Sequence, residues 1–188
     1  DRTEARDDRP MRYVSWKDAN DFIRWLNTRP GSSAGKPLYR LPSELEWEYA
    51  ASAGSVKPYA FGTLDGKADP LCKYANGADA STVTWMYRGY ECKDGYGDEP
   101  APVARFAAND FGLFDMHGNV WEWVSDCFSD KPASSQKADA MSLCNWRVAR
   151  GGSWRSLAAA LTSKARNAFP EGHRRSTVGF RIARDFPA

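Results

Sequence analysis

Acids and aromatic rings are packed most densely in Phe111–Trp123, FGLFDMHGNVWEW, where four aromatics, two glycines and two carboxylates share thirteen positions. Asp115, Gly118 and Glu122 stand at i, i+3 and i+7. His117 lies between them, and Trp121 and Trp123 flank the last acid. A carboxylate buried beside indoles is very costly unless it is compensated. The stretch therefore asks for a cationic side chain or a bound metal ion, with an acid/base pair as the competing use of Asp115 and Glu122.

The four cysteines are Cys72, Cys92, Cys127 and Cys144. They allow three pairings. Each neighbouring pair brackets a polar loop, so the simplest pairing is Cys72–Cys92 and Cys127–Cys144, each closure contributing about 3 kcal/mol in chain-entropy terms. A four-thiolate zinc site is the alternative, but structural zinc favours two-to-four-residue spacers within a pair. Disulfides imply a periplasmic or secreted compartment.

Arginines gather late in the chain, at Arg147, Arg150, Arg155, Arg166, Arg174, Arg175, Arg181 and Arg184. Arg150, Arg166 and Arg181 read as partners for Glu122, Glu46 or Glu48, since buried acids need partners. Trp154, Arg155, Ser156, Arg166, Arg174 and Arg175 form a candidate ligand face. Ser156 as a nucleophile finds no positioned base in the sequence. His173, in the polar run EGHRR, reads as solvated.

Early helices and late strands would position these groups. Ser15 and Asp18 predict a capping-box helix over WKDANDFIRWLN, with Trp16, Ala19, Phe22, Ile23 and Leu26 on one side. Ser43 and Glu46 predict a second helix, with Leu45, Tyr49 and Ala50 inward and a stop at Gly54. Tyr13-Val14, Thr82–Met86 and Val103–Phe106 read as short extended pieces within mostly irregular backbone. Arg147–Arg150 reads as a strand turning at Gly151-Gly152 and continued by Ser153-Trp154. Val178–Ala183 reads as a final strand. The fold class is α+β. Residues 1–10 read as an exposed lead-in and 11–188 as one domain.

A net charge of +2 gives no strong basic footprint, which argues against nucleic acid. The apolar runs are too short for a transmembrane segment. The opening DRTEARDDRP shows no signal peptide, and both a processed start and a piece of a longer protein are compatible with it.

RLPSELEWEYAA, YANGAD, FGLFDMHGNVWEWVSD, RVARGGSW and GFRIARDF occur in that order. Together they resemble the formylglycine-generating enzyme (sulfatase-modifying factor) family over nearly the whole chain from Pro10. The resemblance implies a loop-rich α+β variant of the C-type lectin fold. The family's N-terminal strand region, which precedes the VSWKDA helix, is expected to be missing from this sequence.

The resemblance also sharpens the chemistry. Family members that oxidise a substrate cysteine hold copper with two cysteines after the GGS turn, because copper(I) requires soft thiolates. Ser156 and Leu161 fall at those positions here, and no cysteine follows Cys144. Copper, and with it formylglycine generation, is not expected. Iron-dependent relatives need a histidine-rich helical domain, and two histidines alone do not make one, so iron is not expected either. Two calcium sites are implied. One comprises the Asn76 side chain, the Gly77 carbonyl, the Asp94 side chain and the Tyr96 carbonyl. The other comprises Asp115, the Gly118 and Val120 carbonyls, and Glu122. Oxygen ligands in irregular loops suit calcium. The alternative makes Asp94 and Asp115 turn residues and Glu122 an arginine's partner.

The expected function is a non-catalytic binding or regulatory module of the bacterial envelope, for example one that modulates a kinase or secretion assembly. Its partner would be a protein or a small anionic ligand. A tailoring enzyme for a secreted peptide or siderophore is the second reading. A diversified ligand-display protein is third, because residues 155–178 carry one Asn and no Tyr.

Overall fold

The computed structural model describes residues 8–29, 38–64, 70–82, 90–129 and 144–185. Both predicted capping boxes form. Ser15 Oγ accepts the Asp18 N–H at 3.1 Å while Asp18 accepts the Ser15 N–H at 2.8 Å, and helix α1 runs Trp16–Asn27. Ser43 and Glu46 repeat the exchange and start α2, Glu44–Ser52. Ala53, in the left-handed region, caps the end of α2, one residue before Gly54.

Strand β1, Tyr39–Arg40, lies between these helices, and a single turn, α3, covers Leu71–Tyr74. The strands β2 Trp121–Cys127, β3 Trp146–Arg150, β4 Arg166–Pro170 and β5 Val178–Phe180 form one sheet in the order β4-β3-β2-β5. The β2–β3 and β3–β4 pairs are antiparallel, and β2–β5 is parallel. Strand β6, Ala183–Arg184, pairs with β1. A 3₁₀ turn spans Ala158–Ala160.

Side chains alternate across a strand, and here each sheet face has its own helix. Trp121, Trp123 and Ala149 pack with Ala19 and Ile23 of α1. Val124 and Val148, on the opposite face, pack with Trp47 and Ala51 of α2. A third cluster joins Tyr59, Leu71, Ala75, Ala158 and Leu161 in the loop-rich region. This is the α+β architecture expected. No helix among the described residues is long and apolar enough to cross a membrane.

Several local expectations fail. Helix α2 buries Glu44, Trp47 and Ala51, while Leu45 and Tyr49 are 54% and 67% exposed. Its inward face was misassigned because that face carries an acid. Val103–Phe106 is a turn with Ala104 at positive φ, and Tyr13 is also at positive φ, so neither forms the extended piece expected. Val178–Ala183 splits, with β5 joining β2 and β6 joining β1. Ser153-Trp154 leaves the sheet after β3. Part of the lead-in is tied down, since Arg9 reaches Glu99 at 2.7 Å. Thr82–Met86 lies largely outside the described residues.

Two ion pairs brace the helix starts. Arg40 bonds both oxygens of Glu46 and holds that acid down at about 2, against 4.5 ordinarily. Arg174 holds Asp18 at about 2, against 3.8. Both folded values lie below the unfolded ones. The contribution is therefore complete above about pH 4.5 and lost as pH falls towards 2. Arg40→Gln should flatten the acid limb of stability between those pH values, as read by urea unfolding at stepped pH. An unchanged acid limb would refute the assignment.

Candidate functional site

The acid-rich stretch builds a hub of turns. Asp115, Gly118 and Asn119 all have positive φ. Gly118 is required, because a β-carbon there would run into the Asn76 backbone carbonyl. The Gly118 N–H reaches Gly151 O at 2.7 Å, the Asn119 N–H reaches Asn76 O at 2.8 Å, and the Trp154 N–H reaches Asn119 O at 2.9 Å. The motif thus sews together the Asn76-Gly77 turn and the turn that begins at Gly151-Gly152.

Glu122 leaves this hub on the α2 face of β2. Its side chain is 7% exposed. Arg181 binds both of its oxygens at 2.8 Å, and Trp47 Nε1 donates to Oε2 at 2.6 Å. Arg150 bonds Glu48 and lies 3.4 Å from Glu44, which also receives two bonds from Arg166. The structural pairing expected for these three arginines is present, with Glu44 replacing Glu46 as a partner. Asp115 and Glu122 therefore do not form an isolated acid/base pair.

In the first calcium set, Asp94 is brought against Gly77 and Tyr96. Asn76 Oδ1 is buried without a hydrogen-bond partner. Asp94 accepts the Gly77 N–H at 3.3 Å and the Tyr96 N–H at 2.8 Å. Burial, reinforced by the charge of Asp79, pushes Asp94 up to about 6. In the second set, Asp115 Oδ1 is a buried orphan while Oδ2 accepts the Ala104 N–H at 2.7 Å. Burial raises this acid too. No cluster of three or more His, Cys, Asp or Glu suited to a metal occurs among the described residues. Both sets would depend on amide and carbonyl oxygens.

His117 is buried, which lowers its pKa. Its Nδ1 bonds Leu161 O at 2.8 Å and its Nε2 accepts the Ala60 N–H at 3.3 Å. Both ring nitrogens are thereby used. His173 is half-buried rather than solvated, standing edge-on to Phe169 at 6.3 Å. Disulfides join Cys72 to Cys92 and Cys127 to Cys144.

The predicted ligand face is only partly assembled. A pocket of about 490 Å³ opens beside Ser156. Trp121, Asn167 and Phe169 contribute from the sheet, Ser153, Arg155 and Ser156 from the turn after β3, and Arg175, Ser176 and Thr177 from the approach to β5. Arg174 points elsewhere and pairs with Asp18. Arg166 is taken by Glu44. Trp154 is buried outside the lining and carries Arg155 over its ring at 4.9 Å. Asn167, Ser176 and Thr177 were missed. The i, i+2 spacing of Asn167 and Phe169 could have put them on one strand face, whereas nothing local marks Ser176 and Thr177.

Residues 1–186 match the sulfatase-modifying factor enzyme 1-like domain. The formylglycine-generating enzyme of Streptomyces coelicolor is 33% identical over 96% of this chain and 54% of its own length. The serine/threonine-protein kinase Pkn1 of Chlamydia trachomatis is 29% identical over 94% of this chain and 24% of its own. The chain thus spans between about a quarter and about half of these relatives. The structure of PvdO from Pseudomonas aeruginosa superposes with a TM-score of 0.77 at 32% identity, covering 95% of this chain and 63% of that one.

Removing the Glu122 carboxylate would leave Arg181 uncompensated. Glu122→Ala should cost about 3–5 kcal/mol in urea unfolding, and joint replacement of Glu122 and Arg181 by Met should cost less than the single change. A Glu122→Ala cost below about 1 kcal/mol would refute the pair's role.

Proposed function

We propose a binding role without copper oxidation for this chain, which belongs to the sulfatase-modifying factor enzyme 1-like family. The observation that carries this reading is the turn after Ser153. Ser156, at the first expected copper position, accepts the Ser153 N–H through Oγ at 3.0 Å. Leu161, at the second, is a fully buried core residue. All four cysteines are spent in disulfides. A hydroxyl and an apolar side chain cannot supply the thiolates that copper(I) needs. The pocket at this place is lined by hydroxyl, amide, guanidinium and aromatic groups, which suits holding a ligand.

Calcium is the proposed structural ion. The Asn76 set is supported by an orphaned amide oxygen and an acid raised by burial, which are what a cation would satisfy. The Asp115 set rests on its orphaned Oδ1, and Glu122 would serve the ion and Arg181 together. The disulfides support a periplasmic or secreted compartment. The match to a quarter of a serine/threonine-protein kinase supports use as a module beside other functions, including regulation of a kinase or secretion partner. A tailoring enzyme is the second reading, favoured by the concave pocket at Ser156. Against it, among the described residues Ser156 Oγ is hydrogen-bonded to the Ser153 N–H and hydroxyl, neither of which is a base that could activate it.

Titration with copper(I) against a competing chelator should give no tight stoichiometric binding, and an assay on a cysteine peptide should give no oxidation. Either positive result overturns the reading. Calcium at about a hundredfold its Kd should stabilise the fold by about 2.7 kcal/mol. Asn76→Ala with Asp94→Asn should abolish most of that gain. An unfolding midpoint indifferent to calcium and chelator would remove the ion from the account.

A further inference from the structure

We propose that Arg155 and Arg175 form an oxyanion clamp, so that the pocket beside Ser156 takes a small molecule bearing a phosphate, sulfate or carboxylate group. This rests on the binding role above and names its ligand class. The first support is an account of charge. Around this face the other arginines are matched: Arg147 with Glu171, Arg150 with Glu48, Arg166 with Glu44, Arg174 with Asp18 and Arg181 with Glu122. Arg155 and Arg175 have no carboxylate within ion-pairing distance among the described residues, and no acid lines their pocket. Two guanidinium groups sharing one concavity without counter-charge concentrate anions there.

Both arginines are held in place. Arg155 lies over the Trp154 ring at 4.9 Å and Arg175 over Phe169 at 5.1 Å. The Arg175 carbonyl is fixed by the N–H groups of Tyr13 and Val178, and the Arg155 N–H bonds Ser153 Oγ at 3.3 Å. Arg175 Nε donates to His173 Nε2 at 3.4 Å, and the terminal nitrogens of the two guanidinium groups are the donors offered to an oxyanion.

Neutral donors complete the site. Asn167 Oδ1 is occupied by the Ala168 N–H at 2.8 Å, which leaves the amide N–H groups to offer. Hydroxyls of Ser156, Ser176 and Thr177 stand on the other walls. Charged and neutral donors from β4 and two separate turns can surround one oxyanion. A volume of about 490 Å³ admits a small molecule around it.

The test uses the whole chain with calcium present. Inorganic phosphate, sulfate and citrate are titrated against chloride at matched ionic strength, by calorimetry and thermal unfolding. At least one should bind saturably, and the most effective one separates phosphate-type from carboxylate-type ligands. Arg155→Gln with Arg175→Gln should weaken that binding at least tenfold. Arg29→Gln with Arg184→Gln, which removes the same charge elsewhere, should change it less than twofold. If the first pair of changes prevents folding, phenylglyoxal modification of the unaltered chain, mapped by mass spectrometry, should show both arginines protected by the anion. Absence of saturable binding, an equal loss in both variants, or no protection overturns the clamp. Copper binding would overturn the binding role while leaving an observed anion site standing.

Discussion

Charge buried against the inner helix is the constraint on which the rest of the structure depends. Strands β2 and β3 send Glu122 and Arg150 into the layer beneath α2, where unpaired charge is not tolerated. Trp47 answers twice, with its N–H to Glu122 and its ring 5.4 Å from the Arg150 guanidinium. Glu44 and Glu48 neutralise Arg150 from the same helix, and Arg181 returns from beyond β5 to close on Glu122. Helix, sheet and C-terminal segment are joined by one compensated set. Such a set contributes little net stability against an apolar core of equal volume. What it supplies is geometry, because each charge accepts few partners and those partners join α2 to β2, β3 and the segment after β5.

That geometry lets the remaining chain do without regular structure. Among the described residues between α2 and β2 the backbone is mostly turns and bends, and its polar groups still need partners. The Phe111–Trp123 turn provides them by reaching Asn76, Gly151 and Trp154 through main-chain bonds. The Asn119 side chain adds two bonds to Ala101. Cys72–Cys92 then closes the loop region laterally. Asn76 Oδ1 and Asp115 Oδ1 are among the groups this knitting leaves over. Both stand at the edges of the hub, where irregular loops meet and oxygen ligands of calcium would be drawn from.

The sequence was legible where a local rule acts alone. Ser15 with Asp18 and Ser43 with Glu46 set both helix starts through their own hydrogen bonds, and the short Cys-to-Cys spacings suited the two disulfides. It was misleading where a distant partner decides. Helix α2 looks like one that should bury Leu45 and Tyr49. It buries Glu44 instead because Arg166 and Arg150 wait on strands more than a hundred residues later. The candidate ligand face failed similarly. Arg166 and Arg174 share residue type and neighbourhood with Arg155 and Arg175, and only acids brought close by the fold, Glu44 and Asp18, separate the two kinds.

The same accounting connects stability to function. Where the fold provides an acid, an arginine becomes structural and its charge is lost to a ligand. Where it provides only an aromatic ring, the arginine keeps its charge and gains a fixed position. Arg155 and Arg175 are of the second kind, and they face one pocket. Ser156 lines the same pocket, at the position where the family's oxidases are expected to carry a thiolate. A soft metal ligand is thus replaced by a hydroxyl beside two hard cationic donors. On the proposed reading, the chemistry open to that pocket shifts from binding a soft metal to binding hard oxygen anions, on a scaffold whose charge pairs and turns need not change.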